Sequence, residues 1–232
     1  MVPGNNQKTV QVVDMDGSAT CSDLAPYPLE PTGGGGGLLE NTPVICAGLF
    51  FNKECYSYDK VSNTWQLFAY LVTGRRWFGA AIFKGALWVT GGQINTSNNG
   101  NNIVSTEIIA LDGTVTLGPD LPFALRGHCM VVIDNNEFMI LGSWLPFDQR
   151  KNTMTYNANS ETFSSGPSMI YDRGYAACSM FQSKLHNDRH VVLCAGGLLD
   201  QGTAELLDFS QEDAQWTEGT NFTDIFQGLD VK

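Results

Sequence analysis

The chain carries few charged residues, and fewer of them are basic than acidic. Only 16% of its 232 residues are charged, and 13 Lys and Arg stand against 24 Asp and Glu, which gives a formal net charge of −11. Nucleic-acid binding needs a field of Lys and Arg, and adsorption to an anionic membrane needs the same. We therefore expect no nucleic-acid partner, no membrane partner and an acidic, well-solvated surface.

Long apolar runs and catalytic motifs are missing as well. No run approaches the ~20 apolar residues that cross a bilayer, and the first residues lack the charged and apolar segments of a signal peptide. The sequence holds no P-loop, nucleophile motif, paired-histidine metal motif or Cys-x-x-Cys pair. His186 and His190 lie in a polar hairpin, where their spacing does not bring them together as it would on a helix. We expect a protein without cofactor or metal.

Short strands and glycine-rich turns fill the chain instead, with 43% apolar residues and 25 glycines. The segment "ECYSYDKVSNTW", residues 54–65, alternates around a polar turn, which is typical of two paired strands. "TYNANSETF" and "DFSQEDAQW" repeat it, each with two aromatic residues seven positions apart. "MDGSATCSDL" and "LDGTVTLGPDL" are shorter relatives with an Asp-Gly turn, so the element occurs five times.

A second element, two apolar strands of which the second ends in glycine, alternates with the first. Its glycines are Gly48, Gly91, Gly142 and Gly196, spaced 43, 51 and 54 residues apart. A period near 50 with four strands per unit is typical of β-propeller blades. The glycine doublet, the pair Tyr58-Asp59 and Trp65 resemble the repeat of the kelch family, and the resemblance covers nearly the whole chain.

The resemblance implies an all-β, kelch-type β-propeller in a single domain, residues 1–232. The expected four-stranded blades cover about 35–68, 77–121, 128–164 and 175–218. An N-terminal half-blade at 10–24 supplies only third and fourth strands, and a tail follows at 219–232. Four blades and a half do not close a ring by themselves. We therefore expect part of a larger or assembled propeller, since uncovered edge strands promote association.

Three arginines recur before the first strand of a blade and are the candidate binding residues. Arg75, Arg126 and Arg173 are spaced 51 and 47 residues apart, and each is followed two residues later by Trp77, His128 or Tyr175. In kelch domains that bind acidic peptides, arginines at this motif position line the pocket, and guanidinium groups bind carboxylates through paired hydrogen bonds. The alternative is that each Arg binds a carboxylate or carbonyls of neighbouring strands.

The cysteines leave the compartment open. Cys46 and Cys55 lie on adjacent strands, and Cys178 and Cys194 are symmetric about a hairpin turn, so both pairs allow a disulfide. Cys21 and Cys129 have no evident partner, and all six cysteines could equally be buried thiols. Asn95 and Asn221 begin glycosylation sequons. The Cys-Gly and Cys-Tyr pattern resembles invertebrate kelch proteins that look extracellular, which favours secretion over a cytoplasmic location.

These observations predict a non-catalytic interaction module that binds a protein or acidic peptide at the loop face around the central channel. One alternative is an extracellular structural protein that self-assembles, as a homo-oligomer, through open blade edges. Another is an enzyme of the copper-radical oxidase type, for which the required Tyr, Cys and His set is not recognisable in the sequence.

Overall fold

The computed structural model describes residues 10, 24–46, 49–95, 101–183, 189–198, 202–209 and 213–219. These residues form two compact units, one up to Ala124 and one from Leu125 onward. Each unit holds two antiparallel sheets of four strands, and in every sheet the strands follow chain order.

In the first unit, the first sheet contains strands β1 to β4 and the second contains β5 to β8. Their bounds are Gly35–Leu39, Thr42–Cys46, Glu54–Asp59 and Thr64–Tyr70 for the first sheet, and Gly79–Phe83, Ala86–Thr90, Thr106–Ile109 and Val115–Leu117 for the second. A 3₁₀ turn at Leu49–Phe51 connects β2 to β3.

In the second unit, the third sheet contains β9 to β12 and the fourth contains β13 to β16. Their bounds are Cys129–Val132, Glu137–Leu141, Thr153–Asn157 and Thr162–Ser165 for the third sheet, and Ala177–Ser183, Arg189–Ala195, Ala204–Asp208 and Trp216–Glu218 for the fourth. A 3₁₀ turn at Phe147–Gln149 connects β10 to β11.

The four sheets lie close to the four blades expected from the sequence. Residues 11–23 of the expected half-blade and residues 220–232 of the expected tail lie outside the described residues. The assignment of the whole chain to one domain stays a prediction.

Burial follows strand position. The second strands are the most apolar, and four consecutive residues are buried in both β6 and β10. Such continuous apolar runs are typical of strands covered on both faces. The fourth strands are largely exposed, as in β12. The buried side chains form a core in the first unit around Val44 and Leu87, with a smaller cluster around Tyr27 and Ile45, and a core in the second unit around Val192 and Leu207.

The repeated aromatic residues of the sequence have a structural role. Tyr58 lies directly opposite Trp65 across β3 and β4, with ring centroids 5.1 Å apart. Tyr156 and Phe163 are paired in the same way at 5.0 Å. The indole of Trp216 donates a hydrogen bond of 3.0 Å to the carbonyl of Pro167, which anchors the last strand to the segment that enters its sheet.

The connection into each sheet is built to one plan. The eighth residue before the first strand is buried in all four cases, and these residues are Tyr27, Leu71, Leu121 and Met169. Leu71 and Met169 each donate a backbone hydrogen bond of 2.8 Å, to Lys53 and Lys151 of the preceding sheet. The connection is thereby fixed to the sheet it leaves, and this positions the side chains that follow.

Candidate functional site

Arg75 is fully buried, and its guanidinium binds groups inside the second sheet. Its guanidinium forms an ion pair with Glu107 on β7, and neither side chain is exposed. It also donates to the carbonyls of Gly91 and Ser105 at 2.9 and 2.8 Å. Burial lowers the pKa of Arg75, and the carboxylate of Glu107 opposes that shift. Glu107 also accepts the backbone N–H of Thr73, so the pair joins the incoming connection to the third strand.

Arg173 repeats this arrangement in the fourth sheet. Its Nε donates to Oε1 of Glu205 at 2.5 Å, with side-chain exposures of 1% and 0%. The guanidinium also donates to the carbonyls of Gly196 and Thr203 at 2.7 and 3.3 Å. Ile170 donates its backbone N–H to Glu205, as the connection does to Glu107 in the second sheet. Arg75 and Arg173 thus have the intramolecular role that the sequence left open as the alternative to partner binding.

Arg126 occupies a different position, one residue closer to its strand. Arg75 and Arg173 stand four residues before Gly79 and Ala177, the first residues of β5 and β13, whereas Arg126 stands three before Cys129. The hydrogen bonds agree, since the backbone of Arg126 pairs with Leu145 as that of Arg76 pairs with Gln93. The sequence alignment of Arg126 with Arg75 and Arg173 was wrong by one residue, because spacing alone does not fix strand register.

The third sheet replaces the ion pair by apolar residues. Leu125 stands at the position of Arg75 and is 1% exposed, and Met154 stands at the position of Glu107 and is 5% exposed. Pro122 stands where Val72 donates its N–H to Glu107, and proline has no N–H to donate. Three substitutions therefore remove both charges and one of the donors that the carboxylate satisfies in the second sheet.

Arg76, Trp77 and Tyr175, which follow the buried arginines, are partly exposed. In the first unit, Arg76 lies over the ring of Trp77 at 3.8 Å and over that of Phe51 at 4.6 Å. Its Nε donates to the amide oxygen of Gln93 at 3.0 Å. Gly33 has a φ of +71°, and a Cβ there would stand 2.6 Å from the ring of Trp77, so only glycine admits this packing.

A larger surface of this kind occurs in the second unit, and we call it the Trp144 surface. It consists of Trp144, Phe147, Arg150 and Tyr175, all in the connections at one end of the strands. The rings of Trp144 and Tyr175 are 5.9 Å apart. The guanidinium of Arg150 lies 5.0 Å from the ring of Trp144 and 4.2 Å from that of Phe147, which is 65% exposed. A guanidinium and the face of an aromatic ring attract each other, so the surface combines apolar rings with one positive group.

Two glycines allow the Trp144 surface to assemble. A Cβ on Gly127 would stand 2.9 Å from the ring of Tyr175 and 3.1 Å from Cβ of Trp144. A Cβ on Gly174 would stand 2.7 Å from Cα of Trp144. These are the glycines of the sequence pairs Arg126-Gly127 and Arg173-Gly174, and their function is to let two connections approach each other.

Charges around Arg150 set what the surface can bind. The guanidinium contacts one carboxylate oxygen of Asp172 at 3.9 Å, and the two side chains are 15% and 41% exposed. Its Nε donates a long hydrogen bond of 3.4 Å to the carbonyl of Trp144. A long, partly exposed ion pair contributes little by itself. A carboxylate from another molecule that approaches more closely can therefore compete with Asp172.

The structure brings together only some of the six predicted binding residues. Tyr175 belongs to the Trp144 surface, and Arg126 contacts it through a backbone hydrogen bond accepted from Trp144 at 2.8 Å. His128 is buried at 7% exposure. Trp144, Phe147 and Arg150 were not recognised in the sequence, because they lie in a connection that differs from its counterparts in the other sheets. The signal for Glu107 and Glu205 was present, as an acidic residue at the second position of each of two largely apolar third strands.

Of the two expected disulfides, one is formed. Cys46 and Cys55 are bonded and face each other across β2 and β3, as the sequence predicted. Cys178 and Cys194 also face each other, across β13 and β14, but both are free thiols, so the second expected bridge is absent from the structure. Cross-strand register allows a bridge but does not require one. Cys129 is a third free thiol, and Cys21 lies outside the described residues.

The remaining candidates are partly outside the described region. Asn95 is exposed, whereas Asn221 and His186 lie outside the described residues. His190 is an exposed residue of β14. Across the described ranges, no three His, Cys, Asp or Glu are grouped so that they could hold a metal ion. The same part of the chain contains no helix of the length and apolarity that crossing a membrane requires.

Comparisons with known proteins identify the fold. No protein-family model matches the chain, and no curated protein matches it. Among solved structures 219 chains match, so the fold is too widely shared to select a function. One of them, described as "Structure of YjhT", is similar with 15% identity and a TM-score of 0.71, over 87% of this chain and 68% of that one. The chain is an all-β protein with the fold of a β-propeller, whose described part holds four four-stranded blades.

Proposed function

We propose that the chain is a kelch-type β-propeller that acts as a non-catalytic interaction module, and that the Trp144 surface binds an acidic segment of a protein partner. The β-propeller fold fits a protein-interaction module in general. The observation that carries the proposal is Arg150, whose guanidinium lies over two aromatic rings and beside a distant, half-exposed Asp172. Aromatic and arginine side chains are those that most often dominate binding at protein interfaces.

Charge supports the same conclusion. The chain has a net charge of −11, so an acidic peptide is repelled by most of its surface. Binding of such a peptide therefore requires a local positive site with close contacts rather than a general attraction. The Trp144 surface supplies one guanidinium, with flat apolar rings on which the rest of a peptide can pack.

We also propose an extracellular location for the protein. The disulfide between Cys46 and Cys55 is of a kind that persists in oxidising compartments. Asn95 is exposed, as an acceptor of N-linked glycan must be. Secretion and glycosylation are tested together by mass spectrometry of the protein from its source, before and after enzymatic removal of N-glycans.

The binding experiment uses a fluorescent peptide rich in Asp and Glu, and a second peptide in which every Asp and Glu is replaced by Asn and Gln. Anisotropy titrations are made with the wild type and with Arg150→Ala. A charge-assisted hydrogen bond contributes about 1.5–3 kcal/mol, so Arg150→Ala should weaken binding of the acidic peptide about ten- to a hundredfold. The uncharged peptide should bind weakly to both proteins.

Arg189→Ala is the matched control. Arg189 is in the same unit and forms a partly exposed ion pair with Asp208, but it lies at the opposite end of the strands. The Arg189→Ala variant should bind the acidic peptide as tightly as the wild type does. Equal weakening by Arg150→Ala and Arg189→Ala, or equal binding of the two peptides to the wild type, would contradict a specific site at the Trp144 surface.

A further inference from the structure

Three thiols meet between the first strands of the third and fourth sheets. Cys129 begins β9, Cys178 is the second residue of β13, and Cys194 lies opposite it on β14. All three are free; Cys194 belongs to the buried core cluster of the second unit, and Cys129 and Cys178 pack against it. Their grouping comes from packing between two sheets, and it is not visible in their sequence spacing.

Cys178 occupies the middle of this group. Its thiol is within hydrogen-bonding reach of the thiols of both Cys129 and Cys194. Burial, followed by these two contacts, raises the pKa of Cys178 well above its ordinary value. A protonated thiol is a poor nucleophile, so attack by Cys178 on a disulfide should become faster as pH rises towards this raised pKa.

A cavity of about 250 Å³ reaches this group between β9 and β13. The residues that line it include Cys178 and none that is charged, with Met130 and Met180 on the two facing strands. Neither Cys129 nor Cys194 lines it, and Cys194 is completely buried. A small uncharged reagent can therefore meet Cys178 from the cavity, while the other two thiols stand behind or beside it.

We propose that Cys129, Cys178 and Cys194 form a thiol–disulfide exchange site for small uncharged disulfides, in which Cys178 reacts first and belongs to every bridge that forms. In the first step the Cys178 thiolate attacks one sulfur of a small disulfide, RSSR, forms a mixed disulfide and releases RS⁻. In the second step the thiolate of Cys129 or Cys194 attacks the Cys178 sulfur and releases a second RS⁻. The two cysteine thiols lose two protons and two electrons in total, and RSSR is reduced to two RSH.

Geometry limits the product to one bridge. Because Cys178 is the shared neighbour, a bridge to Cys129 leaves Cys194 as a thiol, and a bridge to Cys194 leaves Cys129. The first product would join two sheets, and the second would join two strands of one sheet. Either way, one of the three thiols always remains reduced.

The experiment uses the full chain with Cys21→Ser, so that only the three described thiols remain free. The protein is treated with hydroxyethyl disulfide, denatured, alkylated and mapped by mass spectrometry. We expect one alkylated cysteine of the three, a bridge that contains Cys178, and an intact Cys46–Cys55 bridge as internal reference. Three alkylated thiols, or a stable mixed disulfide without a bridge, would overturn the proposal.

Single replacements then test the central position of Cys178. Cys129→Ser should leave a bridge between Cys178 and Cys194, and Cys194→Ser should leave one between Cys129 and Cys178. Cys178→Ser should prevent any bridge, with both remaining thiols alkylated. A bridge between Cys129 and Cys194 in that last variant would refute the assignment. Thermal melts of the reduced variants confirm that each is folded before treatment.

Discussion

The buried ion pair of the second sheet leads to a quantitative test, because the third sheet shows how the chain replaces it. Arg75→Leu leaves the carboxylate of Glu107 buried without its counter-charge. Removal of one member of a buried pair costs about 3–5 kcal/mol. Domains are typically stable by about 5–15 kcal/mol, so this single change should remove a large share of the stability.

Replacing both members should cost much less. Arg75→Leu/Glu107→Met copies Leu125 and Met154, which occupy the same two positions in the third sheet. The remaining loss comes from the N–H groups of Val72 and Thr73, which donate to Glu107 in the wild type, and from the carbonyls of Gly91 and Ser105, which accept from Arg75. A buried donor left without a partner costs about 1–3 kcal/mol. Val72 is 56% exposed, so water can accept a hydrogen bond from its N–H group and reduce this cost.

The third substitution addresses that remaining loss. Val72→Pro copies Pro122 and removes one N–H group that Glu107 no longer accepts. The expected order of stability is Arg75→Leu lowest, the double variant higher, and the triple variant equal to or above the double. Urea unfolding followed by tryptophan fluorescence measures all three, and comparable slopes of free energy against urea make the midpoints comparable.

Two controls make this result decisive. Arg173→Leu with and without Glu205→Met should reproduce the pattern in the fourth sheet, where the same pair is buried. Val61→Ala should change stability by no more than about 0.5 kcal/mol, because Val61 is 97% exposed. A single Arg75→Leu variant as stable as the wild type, or a double variant less stable than the single, would refute the reasoning.

Three further expectations concern local features. Cys46→Ala/Cys55→Ala should lower stability by about 2.5 kcal/mol, as expected for a loop closed over a sequence separation of 9, and urea midpoints with and without reductant measure it. Trp216→Phe should cost about 0.5–1.5 kcal/mol through the lost hydrogen bond to Pro167, measured in the same way. The hydroxyl of Ser62 and the N–H of Val61 lower the pKa of Asp59, so its contribution is present above the ordinary aspartate pKa and is lost as pH falls through the lowered value. Asp59→Asn should therefore be the less stable protein at neutral pH, with the difference vanishing in acid.

The sequence predicted the fold well because the fold depends on periodic features. Strand alternation, the glycines after second strands and the paired aromatic residues recur at one period, and the four sheets follow from them. The bridge between Cys46 and Cys55 could be predicted for the same reason, since the pairing of two adjacent strands places these cysteines opposite each other. Periodicity carries no information on contacts between one sheet and the next, so the grouping of Cys129 with Cys178 was missed.

The candidate site was predicted less well, since there the repeats differ by a single residue. Arg126 was aligned with Arg75 on spacing, yet it stands one position nearer to its strand and corresponds to Arg76. A shift of one residue changes which side of the backbone a side chain takes, and this decides between burial and exposure. The fourth residue before the strand points into the sheet, where Arg75, Leu125 and Arg173 are all buried.

This register has a consequence for binding. Since the fourth position is enclosed, a partner cannot reach its side chain, whereas Arg76, Trp77 and Tyr175, which come after it, are partly exposed. The buried arginines hold the connection in place, and these partly exposed residues are thereby presented in a fixed position. A variant at Arg173 should therefore lower stability and peptide binding together, whereas Arg150→Ala should lower binding alone. Peptide titrations and melts on the same samples distinguish the two, and loss of stability without loss of binding in Arg173→Leu would show that the Trp144 surface does not depend on this support.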